Sequence, residues 1–123
     1  MTRSLFLLAL LAGCPASTEP TVTTLTDQGT ACLSDAGEIV VTFPGCISSS
    51  CDTVTSASCT AELVDGVLVV HAEAVIESLG DECTDDCGIV QARCAAPIIE
   101  DPEGVTLSYA GTETPLDEGC VVF

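Results

Sequence analysis

The sequence has no lysine and no tryptophan, and its aromatic side chains stop at three phenylalanines and one tyrosine. Each shortage excludes something. Two arginines face 19 acidic residues, giving a net charge of −17 over 123 residues. Such a field repels phosphate, which argues against nucleic acid as a partner. It also removes any charge-assisted contact with a membrane surface. Scarce rings mean that a core must be assembled from Val, Ile, Leu and Ala, because large aromatics normally supply much of the buried area. The uninterrupted apolar run Leu5–Ala12 falls far short of the roughly 20 residues that a spanning helix needs.

What is present in quantity is cysteine, nine in all. An odd number is informative in itself. Eight of them (Cys32, Cys46, Cys51, Cys59, Cys83, Cys87, Cys94 and Cys120) suit four disulfides in an exported chain. The ninth, Cys14, stands apart at the end of the apolar run. Ahead of it come a basic start at Arg3, the apolar centre Leu5–Ala12, and the small residues Ala12 and Gly13. This is the anatomy of a secretory signal peptide.

The segment Leu11-Ala12-Gly13-Cys14 resembles the lipobox of bacterial lipoproteins. The resemblance covers residues 1–14 alone. It implies cleavage before Cys14, a diacylglycerol thioether on that cysteine, and often an acyl chain on the new amino terminus. It therefore implies an envelope membrane as partner through the lipid, with Pro15 in place of Asp after the anchor favouring the outer membrane. The expected organisation is a signal peptide at 1–13, a lipidated Thr/Pro-rich tether at 14–31 and a cysteine-rich β domain at 32–123. Loss of Arg3 with the signal peptide leaves 19 acids and Arg93, a side-chain charge of −18. Residues 15–31 lack the alternation that accompanies packing, although Val22–Leu25 also suits an edge strand.

From Cys32 onward the apolar residues recur with period two. Ile39, Val41 and Phe43 alternate with Glu38, Val40 and Thr42. Leu68, Val70, Ala72, Ala74 and Ile76 alternate with His71, Glu73 and Glu77. Asp65-Gly66, between TAELV and VLVV, is a hairpin signal. GIVQARC, VTLSYAG and the terminal CVVF read as further strands, with Val90, Ala92 and Cys94 inward and Gln91 and Arg93 outward. Residues 71–80 also suit a short helix capped by Gly80, although the alternation favours a strand. The expected fold class is all-β, a small disulfide-rich β-sandwich-like domain after a flexible N-terminal tether.

Disulfide connectivity stays open, since eight cysteines allow 105 pairings. An extended segment between Cys87 and Cys94 would separate them by more than ~20 Å and rules out that pair. Cys46 with Cys51, and Cys83 with Cys87, are close enough in sequence to pair across turns.

Catalytic signatures are thin. His71 is the one histidine, and Ser48, Ser49 and Ser50 lack the G-x-S-x-G turn that would support a nucleophile. No C-x2-C pair points to zinc, and disulfides compete for the same sulfurs. The expectation is a non-catalytic protein with a structural or binding role. A disulfide-closed loop Cys46–Cys51 would suit an inhibitor of a secreted hydrolase. Asp81, Glu82, Asp85 and Asp86 crowd around Cys83 and Cys87, where a bridge would gather oxygen ligands for weak calcium binding. The spaced D-x-D-x-D-G pattern of a calcium loop is missing. Arg93 is expected in a surface ion pair worth little.

Overall fold

Asp65 and Gly66 turn the chain with both φ angles positive, 50° and 80°. That is the geometry of a two-residue hairpin matched to strand twist. On either side run the two longest strands of this computed structural model, which describes residues 19–120. They are β4 (Asp52–Val64) and β5 (Val67–Ser78). The other strands are β1 (Thr21–Thr26), β2 (Thr30–Leu33), β3 (Glu38–Thr42), β6 (Gln91–Ala95), β7 (Thr106–Tyr109) and β8 (Thr112–Pro115). A 3-10 turn follows at Leu116–Glu118.

The strands form two sheets. In the first, β5 is central, with antiparallel β4 along one edge. Its other edge is shared by antiparallel β1 and by a short parallel pairing with β7, beyond which lies β8. The second sheet is β2-β3-β6, antiparallel throughout. The core lies between the two sheets. Leu68, Val70, Ala72, Ala74 and Ile76 of β5 meet Ile39, Val41 and Phe43 from β3 and its end, with Val90, Ala92, Leu107, Tyr109 and Leu116 completing it. Residues 71–78 are strand, and the period-two reading of β5 holds along its length.

Two expectations need correction. The stretch assigned as tether to residue 31 contains β1 and the start of β2, so the folded domain begins at Thr21 instead of Cys32. β1 carried no apolar pattern because nearly all its side chains are exposed, and only Leu25 is partly buried. Its place is fixed by backbone pairing with β5, which leaves no trace in hydropathy. Val40, expected outward with Glu38 and Thr42, is also buried, flanked on that face by its cross-strand neighbours Cys32 and Arg93. Of the terminal CVVF, residues 121–123 lie outside the described residues, as do the signal peptide and Cys14.

Candidate functional site

Four disulfides consume the eight cysteines of the domain, as Cys32–Cys120, Cys46–Cys87, Cys51–Cys83 and Cys59–Cys94. Neither short-range pairing formed. Cys46 bridges to Cys87 and Cys51 to Cys83, so two loops distant in sequence are laced together at one end of the sandwich. The lacing follows from the β4–β5 hairpin. It returns the chain to its starting end, and Ser78 lies opposite Asp52 in register. The loop after β5 thereby meets the loop before β4. An isolated closed loop at 46–51, on which the inhibitor reading depended, is not formed.

The laced tip is held by polar contacts. The Ser78 hydroxyl donates to Asp52 Oδ1 at 2.5 Å, and the Ser48 amide donates to Asp52 Oδ2 at 2.8 Å. Across the tip the Thr84 amide donates to Ser50 Oγ at 2.9 Å, and the Ser49 amide to Asp86 Oδ2 at 3.2 Å. The Thr84 hydroxyl also donates to Asp86. These donors favour the ionised carboxylates. Asp52 is held below the usual range first by Ser78 and then by Ser48, and Asp86 is held low by Ser49 and Thr84. Ile47 and Gly88 form the one isolated bridge of paired backbone here, at 2.7 and 2.9 Å.

The four carboxylates expected to gather calcium do not converge. Without a Cys83–Cys87 bridge there is no tight turn to collect them. Asp86 is turned onto Ser49 and Thr84, while Asp81, Glu82 and Asp85 are exposed. Among the described residues no group of three or more His, Cys, Asp or Glu side chains is placed to hold a metal ion.

His71 sits elsewhere. It lies seven positions before Ser78 along β5, roughly 23 Å of extended chain, so it does not meet Ser48, Ser49 or Ser50. Its partner is Asp27, with Nδ1 3.2 Å from Oδ2, a contact across 44 residues of sequence that local reading had no means to find. Asp27 reaches this position at a positive φ of 49°, with its other oxygen accepting the Ala72 amide at 2.9 Å. That backbone bond, and then His71, hold the Asp27 carboxyl below its ordinary range. Thr60 lies directly across from His71 in register. The imidazole side chain is 68% exposed, so no enclosed, water-free site surrounds it. Arg93 approaches Glu38 at 3.7 Å on the surface, in a pair worth about 0–1 kcal/mol.

Another hollow, away from His71, was not legible in the sequence at all. It lies between β2 and the segment from β8 to the 3-10 turn, with a volume of about 390 Å³. Ala31 and Leu33 form one wall and Leu107, Pro115 and Leu116 the other, with exposed Glu118 beside them. A smaller hollow of about 80 Å³ shares Ala31 and Leu107 and continues it toward Tyr109. Each wall alone looked like ordinary core or turn sequence, and only the facing of the two sheets' edges makes a groove of them.

No protein-family model, curated protein or solved structure matches the chain.

Proposed function

We propose that this chain is a lipid-anchored lipoprotein of a bacterial envelope, whose small β domain has a non-catalytic, binding role outside the cytoplasm. The observation that carries the reading is the cysteine balance. Every cysteine of the described domain is paired with another cysteine of the domain, and the ninth is the one that ends Leu11-Ala12-Gly13-Cys14. Four disulfides favour an oxidising compartment. The polar chemistry supports a binding role over catalysis, since the serines and the acidic loop satisfy one another at the tip while the histidine lies elsewhere, paired with Asp27. The outer membrane is the proposed location, from Pro15 after the anchor.

Replacing Cys14 tests this directly. Cys14→Ser is expected to release the protein from the membrane fraction into the soluble one, with its disulfides intact. Two acyl chains together anchor firmly, and without the cysteine there is no attachment point. Intact mass of the native protein should show a start at Cys14 and a diacylglycerol-sized addition. An unmodified chain starting at another residue would refute the anchor.

A further inference from the structure

We propose that the end of the sandwich at the Asp65-Gly66 turn, opposite the laced tip, docks a cationic amphipathic helix of another protein. The inference rests on the lipid-anchor reading for which end is displayed, and it deepens the binding role by naming a surface and a partner chemistry.

Topology sets the two ends. Thr21 and Asp52 both pair with Ser78, so the chain enters the fold at the laced tip. Seven positions separate Cys14 from Thr21, at most about 25 Å of chain. β5 spans 12 residues, roughly 40 Å of extended strand, and its start at Val67 lies beyond that reach. The anchor therefore holds the tip toward the membrane and displays the turn end away from it.

The turn end is crossed by an ordered strap. The Ala96 amide donates to Gly37 O at 3.4 Å, and the Thr106 amide donates to Gly66 O at 3.2 Å, so residues 97–105 pass from one sheet to the other. Within the strap the Val105 amide donates to Pro102 O at 3.1 Å, and the Glu103 amide to Asp101 Oδ1 at 3.1 Å. Ile99 packs against the core, but its neighbour Ile98 is 95% exposed. Leu63 and Val64, which lead into the turn, are exposed as well, at 40% and 44%. An isoleucine left wholly in water forgoes its burial energy, and exposed apolar groups rimmed by polar ones mark protein contacts. Val22, Leu79 and Ile89 are also exposed, but they lie at the tip, where a partner would compete with the membrane for space.

Charge selects the partner. Glu62, Asp65, Glu100, Asp101 and Glu103 flank these apolar residues in sequence, and all are exposed. Among the described residues Arg93 is the one lysine or arginine, and it faces Glu38 at 3.7 Å. A second copy would set like charges against one another, so the complementary partner is basic. A helix with leucines along one side and lysines beside them offers both contacts at once.

The test uses the full chain carrying Cys14→Ser, which needs no detergent and leaves residues 19–120 unchanged. A fluorescein-labelled helical peptide with leucines on one face and lysines beside them is titrated by anisotropy. Its controls are a leucine–glutamate counterpart and a scrambled leucine–lysine peptide with no apolar face. The amphipathic lysine peptide is expected to bind about tenfold or more tightly than either control. Ile98→Ser should weaken it about fivefold or more without lowering the melting temperature, because the side chain is exposed. Ile89→Ser, at the tip and 66% exposed, should leave binding unchanged. Glu100→Gln/Glu103→Gln should weaken it more than Asp81→Asn/Asp85→Asn, which removes the same charge at the tip. Equal effects from the two ends would reduce binding to the general acidic field and overturn the proposal, as would equal binding of the scrambled peptide or none at all. Deleting residues 121–123 should not change the affinity; a gain would give the surface to the chain's own terminus. Sedimentation as an Ile98-dependent dimer would give it to a second copy, and either result overturns the proposal. None of these outcomes bears on the mass at Cys14, so the anchor and the docking surface fail separately.

Discussion

The middle of the sandwich and its laced tip are held by different forces. In the middle, aliphatic side chains from both sheets are removed from water, and Ile39, Val41, Leu68 and Ala74 are fully buried. At the tip, residues 83–87 are all exposed, and order comes from two disulfides and a set of hydroxyl–carboxylate bonds. The lesson concerns entropy. A polar segment that cannot offset its ordering by burial can still be fixed when cross-links remove freedom from the unfolded chain. Cys46–Cys87 and Cys51–Cys83 span 41 and 32 residues, long enough for each to contribute about 2–4 kcal/mol.

The comparison breaks most visibly in the middle. Leu68→Ala is expected to cost about 2–5 kcal/mol, because a fully buried leucine leaves a cavity as well as lost transfer energy. Denaturant unfolding should show the loss globally, with hydrogen exchange accelerated in β3 and β5 alike. Removing the tip cross-link, as Cys46→Ala/Cys87→Ala, is expected to cost about 2–4 kcal/mol. Its signature in hydrogen exchange should differ, with Ile47 and Gly88 losing protection while β5 keeps most of its own. If both variants gave the same exchange map, the division into two regions would be wrong.

A smaller effect separates the regions by pH. Asp52 is held low in the fold, so the unfolded chain binds its proton first as pH falls. Its contribution is therefore present above the unfolded value of about 4 and lost as pH drops through the folded one. Asp52→Asn should lower the melting temperature at pH 7, and the gap from wild type should narrow below about pH 4. Comparing the two proteins cancels the general relief of acidic repulsion, which both share. A gap that stayed constant from pH 7 to pH 3 would show that the carboxylate's charge does not matter at the tip.

The smallest expected effect is a gain. Ala110 turns between β7 and β8 at a φ of 52°, followed by Gly111 at 80°. A two-residue turn of this hand favours Asn-Gly, and alanine is strained there. Ala110→Asn is expected to add about 0.5–1 kcal/mol, read as a higher denaturation midpoint with an unchanged slope.

Ala110-Gly111 also shows why parts of the fold were hard to read. The Asp65-Gly66 hairpin was legible because its residues suit positive φ, whereas Ala110 gives no such signal. β5 announced itself by alternation because one face is buried and the other wet. The first half of β4 (DTVTSASC) did not, since its side chains there are mostly exposed on both faces. The site was less legible than the fold. The Asp27–His71 contact, the groove and the disulfide partners all join segments far apart in sequence, where no local pattern records the meeting.

The sequence by itself determined the all-β class, the central strand and its inward face, the even set of eight domain cysteines and the acidic field, because each is local periodicity or simple composition. Tertiary structure decided the rest: where β1 and β2 attach, which cysteine meets which, and that Asp86 serves Ser49 and Thr84 instead of joining its acidic neighbours. Those outcomes depend on which strand lies beside which, and strand pairing is made by backbone groups that every residue but proline carries alike.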